Sequence, residues 1–242
     1  MPLSPCPSAR PPSTGFPDSI ALDARTRTRI KICGLTREAD VDAAVEAGAD
    51  AIGLVLWPKS PRAIPLARAA ALSRRLPPFV TPVGLFVNAA PEEVAAACDA
   101  VPGLLLQFHG DEAPADCEAA GRPYLRAARM APGFDLLDFA ARFANARGLL
   151  LDAHVDGYGG GGKVFDWSLI PCGAALPLVL SGGLNPANVA DGVRQLRPWA
   201  VDVSSGVESG TKGIKDAAAI RRFCAAVREA DASLQAPAAP PP

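Results

Sequence analysis

The feature that most constrains this chain is an alternation repeated along its length. Between Arg29 and Ala230, short apolar runs suited to strands are followed by Ala-rich amphipathic stretches, and the pattern is completed eight times. The runs are Arg29–Cys33, Ala51–Leu56, Val80–Val87, Leu104–Phe108, Tyr124–Ala128, Gly148–Asp152, Leu178–Ser181 and Ala200–Val203. Repeated strand–helix units demand parallel strands with the helices outside them, which leaves a closed barrel or an open doubly wound sheet. Eight units favour closure, and 242 residues come close to the roughly 250 of a typical barrel. The expected fold is therefore a single α/β domain, a (β/α)8 TIM barrel, with a Rossmann-like sheet as the alternative.

Helix boundaries support the same phasing. Glu38 sits in a first turn with Gly48 as the stop, Pro65 opens the second helix, and Pro91 followed by Glu92 and Glu93 opens the third. Asn185 before Pro186 has the form of an N-cap with proline at the first helical position. The last helix, Asp216–Ala230, places Ile220, Phe223, Cys224 and Val227 on one face, and the sixth, near Trp167–Cys172, looks short.

Three parts are expected: a disordered Pro/Arg-rich extension over residues 1–28, the barrel over 29–230, and a disordered tail over 231–242. The extension holds no apolar run of signal-peptide length, and no stretch reaches the roughly 18 apolar residues that would span a bilayer. A net charge of −1 offers no single-signed field for nucleic acid or a membrane surface. Six scattered cysteines, with neither a C-x-x-C pair nor histidine at ligand spacing, argue against a zinc site and for a reducing, cytoplasmic setting. Neither a metal nor a cofactor is expected.

Chemistry in such a barrel sits where strands end. Cys33, Asn88, Gln107, His109, Asp152, Ser181, Asp202, Ser204 and Ser205 all fall at or just past a strand end. Three glycine-rich segments end the sixth, seventh and eighth units: Gly157 to Gly162, Ser181-Gly-Gly183 and Ser204-Ser-Gly206. Backbone N–H groups unshielded by side chains can approach a phosphate closely, so a phosphorylated small molecule is the expected substrate. Tight turns alone would also account for any single one of these loops. The run Gly157–Lys163 nearly matches a P-loop, but Val164 stands where a hydroxyl would hold magnesium, and a loop closing over substrate fits better.

Cys33 and Asp152 form the acid–base pair this pattern offers. Strand alternation puts Arg29, Lys31 and Cys33 on one face, with Ile30 and Ile32 on the other. A lysine ammonium at ~4 Å supplies up to ~4 kcal/mol at an effective dielectric of 20, enough to bring a thiol from about 8.5 to about 7, so Lys31 is expected to tune Cys33. A buried cysteine is equally often a small hydrophobe, the role expected of Cys98, Cys117 and Cys224. Asp152 closes an apolar run and must carry a proton to act as an acid, but a helix cap or a partner for Lys163 would also employ it. Arg62 offers a planar fork for a carboxylate, although a loop arginine is commonly solvent-exposed, and His109 could be a satisfied strand-end histidine.

Taken together, Lys31-Ile-Cys-Gly34, Pro58-Lys-Ser-Pro-Arg62, Gly84-Leu-Phe-Val-Asn88, Gln107-Phe-His-Gly110, Leu150-Leu-Asp152, Gly159-Gly-Gly-Gly-Lys-Val-Phe-Asp-Trp167, Leu180-Ser-Gly-Gly-Leu-Asn-Pro186 and Val201-Asp-Val-Ser-Ser-Gly-Val-Glu208 resemble phosphoribosylanthranilate isomerases of tryptophan biosynthesis. The resemblance implies a ribulose-phosphate-binding barrel, monomeric or homodimeric, that performs an Amadori rearrangement without metal or cofactor. It implies Cys33 as general base, Asp152 as general acid and Arg62 as the carboxylate ligand. Gln107, His109 and Asp202 are implied as further substrate contacts, and Gly160, Gly161, Gly182, Gly183, Ser204, Ser205 and Gly206 as the phosphate site. Two positions depart from the family pattern: four glycines run through Gly159–Gly162 where a Thr or Ser is frequent, and Phe108 replaces a usual Leu. The alternatives are a related phosphate-binding barrel, such as the histidine-pathway isomerase with aspartate where Cys33 stands or a metal-dependent epimerase, and an inactive barrel that binds phosphometabolites.

Overall fold

The computed structural model describes residues 27–153, 165–171 and 173–235. Eight parallel strands close on themselves in sequence order: β1 (Arg29–Cys33), β2 (Ala51–Val55), β3 (Thr81–Phe86), β4 (Leu105–Phe108), β5 (Tyr124–Met130), β6 (Gly148–Ala153), β7 (Leu178–Leu180) and β8 (Ala200–Val203). Closure is made by β1 against β8, with Lys31 opposite Asp202 and Ile32 opposite Val203. The open sheet is thereby excluded. Strand ends shift from the expected ones by a residue or two, most at β5, which continues to Met130 because Arg129 and Met130 pair with Asp152 and Ala153 of β6.

The strands are buried on both faces, as a parallel sheet covered by helices requires. Ile30, Ile32, Val201 and Val203 point outward into one large core shared with the helices, including Ile220, Phe223, Cys224 and Val227. The inner face near the strand starts is filled by a separate small cluster of Ala127, Leu150, Val179 and Ala200. Arg29 closes that end, its guanidinium 3.8 Å from the centre of the Trp199 ring. Phe108 lies in an aromatic row between Phe86 and Tyr124, with ring centres 6.0 and 5.9 Å away, so its departure from the family pattern is absorbed by packing.

The helices are α1 (Glu38–Glu46), α2 (Leu66–Ser73), α3 (Pro91–Ala100), α4 (Pro114–Glu118), α5 (Leu136–Arg142), α6 (Val189–Leu196) and α7 (Ala217–Gln235), with one 3-10 turn at Trp167–Leu169, where the sixth helix was expected to be short, and another at Ser205–Val207 after β8. Three expectations need correction. Asn185 caps a turn instead of α6: its Oδ1 accepts from Ala187 N at 2.8 Å, and the helix starts at Val189. The boundary at 231 is too early, because α7 runs on to Gln235. The boundary at 28 is too late for the same reason, since Asp231 accepts from both the N–H and the hydroxyl of buried Thr28 at 2.7 Å, tying the entry of β1 to the end of α7. Among the described residues, no helix is long and apolar enough to cross a membrane.

Candidate active site

The strands deliver their polar ends to one cavity. It is lined by Cys33 from β1, Arg62 after β2, Gln107 and His109 from the end of β4, Asp152 from β6, Gly182 and Gly183 after β7, and Asp202, Ser204 and Ser205 from β8 and its loop. Trp57, Ser60, Leu85, Ser181 and Lys212 complete much of the wall. Gly206 does not line the cavity but makes its floor possible: a Cβ there would stand 1.9 Å from the Leu184 carbonyl oxygen, so the loops after β7 and β8 pack in contact only because none is present. Gly160, Gly161 and Lys163 lie outside the described residues.

Two polar arrays meet at this cavity. In the first, His109 Nε2 is 3.1 Å from Asp152 Oδ2 and its Nδ1 is 3.2 Å from Gln107 Nε2. The other Asp152 oxygen accepts from Ala153 N at 2.9 Å. A row of amide, imidazole and carboxyl can hold its proton in two ways. With Gln107 donating to Nδ1, the imidazole donates from Nε2 to a carboxylate. With the amide turned to present Oε1, which otherwise is buried without a partner, Nδ1–H donates and Nε2 accepts from a protonated Asp152. The arrangement can therefore support Asp152 both before and after it gives up a proton.

In the second array, Lys31 donates to Asp202 at 2.8 Å inside the barrel, both side chains almost fully buried. Cys33 follows Lys31 on the same face of β1, and its buried Sγ sits against Gly53 of β2, where a Cβ would come within 2.5 Å of it and 2.9 Å of Cys33 Cα. Burial pushes the Cys33 thiol up, Lys31 pulls it down, Asp202 pushes it up and Lys215 pulls it down, and the net direction is upward.

The sequence of β1 to β8 has relatives of the same pattern. The family model described as N-(5'phosphoribosyl)anthranilate (PRA) isomerase matches residues 30–226. The chain belongs to this family. An N-(5'-phosphoribosyl)anthranilate isomerase of Methylibium petroleiphilum is 76% identical over 210 residues, covering 87% of this chain and 98% of the relative. The corresponding protein of Dechloromonas aromatica is 64% identical, covering 86% and 100%. Among solved structures, the phosphoribosyl anthranilate isomerase of Thermotoga maritima matches with a TM-score of 0.77 and 41% identity over 84% of this chain and 99% of that one. A phosphoribosyl anthranilate isomerase in complex with reduced 1-(o-carboxyphenylamino)-1-deoxyribulose 5-phosphate matches with a TM-score of 0.71 and 36% identity, covering 84% and 99%. The isomerase family of tryptophan biosynthesis and the barrel implied by the motifs are thus borne out.

Within that family pattern the structure corrects one site expectation and removes the alternative to another. Lys31 does pull the Cys33 thiol downward, but it does not bring the unliganded thiol toward neutrality, because burial strips the thiolate of water and Asp202 engages the ammonium. Arg62 is not a solvent-exposed loop arginine: it is 5% exposed and doubly bonded to Glu208. Cys117 and Cys224 are buried with thiols pushed up to about 12 and about 11, consistent with their expected role as small hydrophobes. Gly53, Glu208 and Lys215 were not singled out from the sequence. Glu208 had a signal as the last residue of the Val201–Glu208 motif in this isomerase family, and Lys215 had one in its place in a strand-to-helix loop. No group of three or more His, Cys, Asp or Glu placed to hold a metal occurs among the described residues.

Proposed function

We propose that this chain rearranges N-(5'-phosphoribosyl)anthranilate to 1-(2-carboxyphenylamino)-1-deoxyribulose 5-phosphate with Asp152 as general acid and Cys33 as general base. The observation that carries these roles is that an acid, a thiol, an arginine and the two glycine-containing loops after β7 and β8 all line one cavity.

Asp152 protonates the furanose ring oxygen as the C1–O bond breaks, opening the aminal to a Schiff base. The Cys33 thiolate then takes the proton from C2, the electron pair moves through C1 to nitrogen, and an enolamine forms. Its enol collapses to the C2 ketone as C1 gains a proton. Each positioned proton-transfer group is typically worth about 10²–10⁴ in rate. Arg62 takes the anthranilate carboxylate, with Gln107 and His109 holding the acid and Asp202 holding Lys31 beneath the thiol. The N–H groups of Gly182 and Gly183, the hydroxyls of Ser204 and Ser205, and the loop shape permitted by Gly206 form the phosphate site, with Gly160 and Gly161 assigned to it by resemblance. Lys31 and Lys215 are the cations available to the thiolate once it forms.

Every residue of this scheme comes from one chain, so the chemistry serves a monomer or a homodimer equally. Four free, buried cysteines among the described residues support a reducing, cytoplasmic setting. The test is to supply purified protein, in the presence of a chelator, with N-(5'-phosphoribosyl)anthranilate and follow formation of the ketone. Steady product formation is expected, and its absence from folded protein would overturn the assignment.

A further inference from the structure

Arg62 lines the cavity, whereas the residue that holds it does not. Glu208 accepts from Nε at 2.7 Å and from Nη2 at 2.9 Å, a two-point grip on one edge of the guanidinium that leaves Nη1 outside the pair. The side chains of both residues are 7% exposed. Arg62 reaches this place beside Gly34, at φ +75°, where a Cβ would come within 2.6 Å of the Arg62 Cδ.

Glu208 is itself fixed from two further sides. Its Oε1 accepts from Gly213 N at 2.9 Å and from Lys215 Nζ at 3.1 Å. Lys215, with no exposed side-chain surface, also donates to the Ser204 carbonyl at 2.9 Å. Burial holds Lys215 below the ordinary lysine range while Glu208 opposes that fall. One carboxylate therefore joins two buried cations, one presented to the ligand after β2 and one bonded to the loop after β8. Two cations against one carboxylate leave this trio with a positive charge, an unfavourable state in a buried place unless an anion completes it.

We infer that Glu208 is the positioning residue for the carboxylate end of the ligand: it aims Arg62 so that the guanidinium edge it does not hold meets the anthranilate carboxylate, and through Lys215 it sets that edge at a fixed distance from the phosphate loop. The inference rests on the assignment of Arg62 to that carboxylate. A purely structural ion pair would stabilise the barrel without discriminating between ligands. A positioning residue changes the affinity for ligands that carry a carboxylate and spares those that do not.

The probes are the reduced product analogue, the same compound made from aniline and so lacking the carboxylate, and inorganic phosphate as a competitive inhibitor. Glu208→Gln is expected to weaken the carboxylated analogue by about tenfold or more and raise KM to match, with kcat, the aniline analogue and phosphate all within about threefold of wild type. The double variant Arg62→Gln/Glu208→Gln should bind the carboxylated analogue no more weakly than Arg62→Gln alone, because Glu208 acts through Arg62. Unchanged affinity for the carboxylated analogue, or an equal loss for all three probes, would overturn the inference. If Arg62→Gln itself leaves the carboxylated analogue unaffected, the assignment of Arg62 fails instead. Should Glu208→Gln not fold, Glu208→Asp keeps the charge but withdraws it by one methylene, and the same split between the two analogues is expected.

Discussion

Replacing Lys31 by methionine tests the electrostatics of the thiol most directly. Lys31 lies 2.8 Å from Asp202, with side-chain exposures of 5% and 6%, and is the leading force pulling the Cys33 thiol down. Lys31→Met removes that force and leaves the upward push of Asp202 opposed only by the weaker pull of Lys215, so the thiol should rise. An ammonium at ~4 Å contributes at most ~4 kcal/mol at an effective dielectric of 20, which bounds the rise at about 3 pH units. Alkylation follows the thiolate fraction, so at a fixed pH below the thiol's titration its rate should fall by about 10² or more. The assay is peptide-resolved alkylation of Cys33 by iodoacetamide against pH, with Cys98 on α3 as internal control. Lys31→Met should also destabilise the fold by about 3–5 kcal/mol, because it strands a buried carboxylate. The double variant Lys31→Met/Asp202→Leu removes both charges; it should recover most of that stability and return the thiol part of the way down. A Cys33 profile in Lys31→Met that coincides with wild type would refute the reasoning, and a double variant titrating with the single one would remove Asp202 from it.

Cys33→Ala and Asp152→Asn should each lower kcat by about 10² or more while the reduced product analogue binds within a few-fold of wild type; near-normal turnover would remove that residue from the scheme. Gly53→Ala places a methyl 2.5 Å from Cys33 Sγ and 2.9 Å from its Cα, so the two strands must part or the thiol must turn away. A fall in kcat of about tenfold or more, with phosphate inhibition unchanged, is expected, and wild-type kcat would show that β2 yields freely. Gly206→Ala forces the loops after β7 and β8 apart at the Leu184 carbonyl, so inorganic phosphate should inhibit more weakly; an unchanged inhibition constant would exclude this contact from the phosphate site. Burial works against ionisation of Glu208, but its bonds from Arg62 and Gly213 and the nearby Lys215 outweigh it and lower its pKa to about 2. A carboxylate depressed in the folded state adds stability that is present above its unfolded pKa near 4.5 and is lost as pH falls toward 2. Urea midpoints of wild type should fall through that window, and those of Glu208→Gln should fall less.

What the sequence disclosed and what it withheld follow from the range over which each interaction acts. The barrel was legible because its evidence is local: each strand announces itself over three to seven residues, and several helices do so by their first turn. The cavity was legible for the same reason, since a strand end can be found without knowing which strands are neighbours, and a barrel brings all strand ends to one face. Boundaries failed where a distant partner decides them, as when Asp231 secures Thr28 across 203 positions. The charge network failed in the same way. Lys31 could be placed two residues from Cys33 on one face, but that Asp202 would occupy its ammonium depends on β8 closing against β1, 171 positions away. For Arg62 an exposed loop arginine stayed open beside the carboxylate ligand, because Glu208 lies 146 positions further on. Gly53 carried no signal either, because a glycine inside an apolar strand shows its purpose only when the register sets it opposite Cys33. Local pattern thus locates the reacting groups, while the protonation and aim of those groups are set by pairs that exist only once the barrel has closed. A substitution that leaves strand and helix patterning intact, such as Glu208→Gln, should therefore alter the affinity for carboxylated ligands while kcat and the fold stay close to wild type.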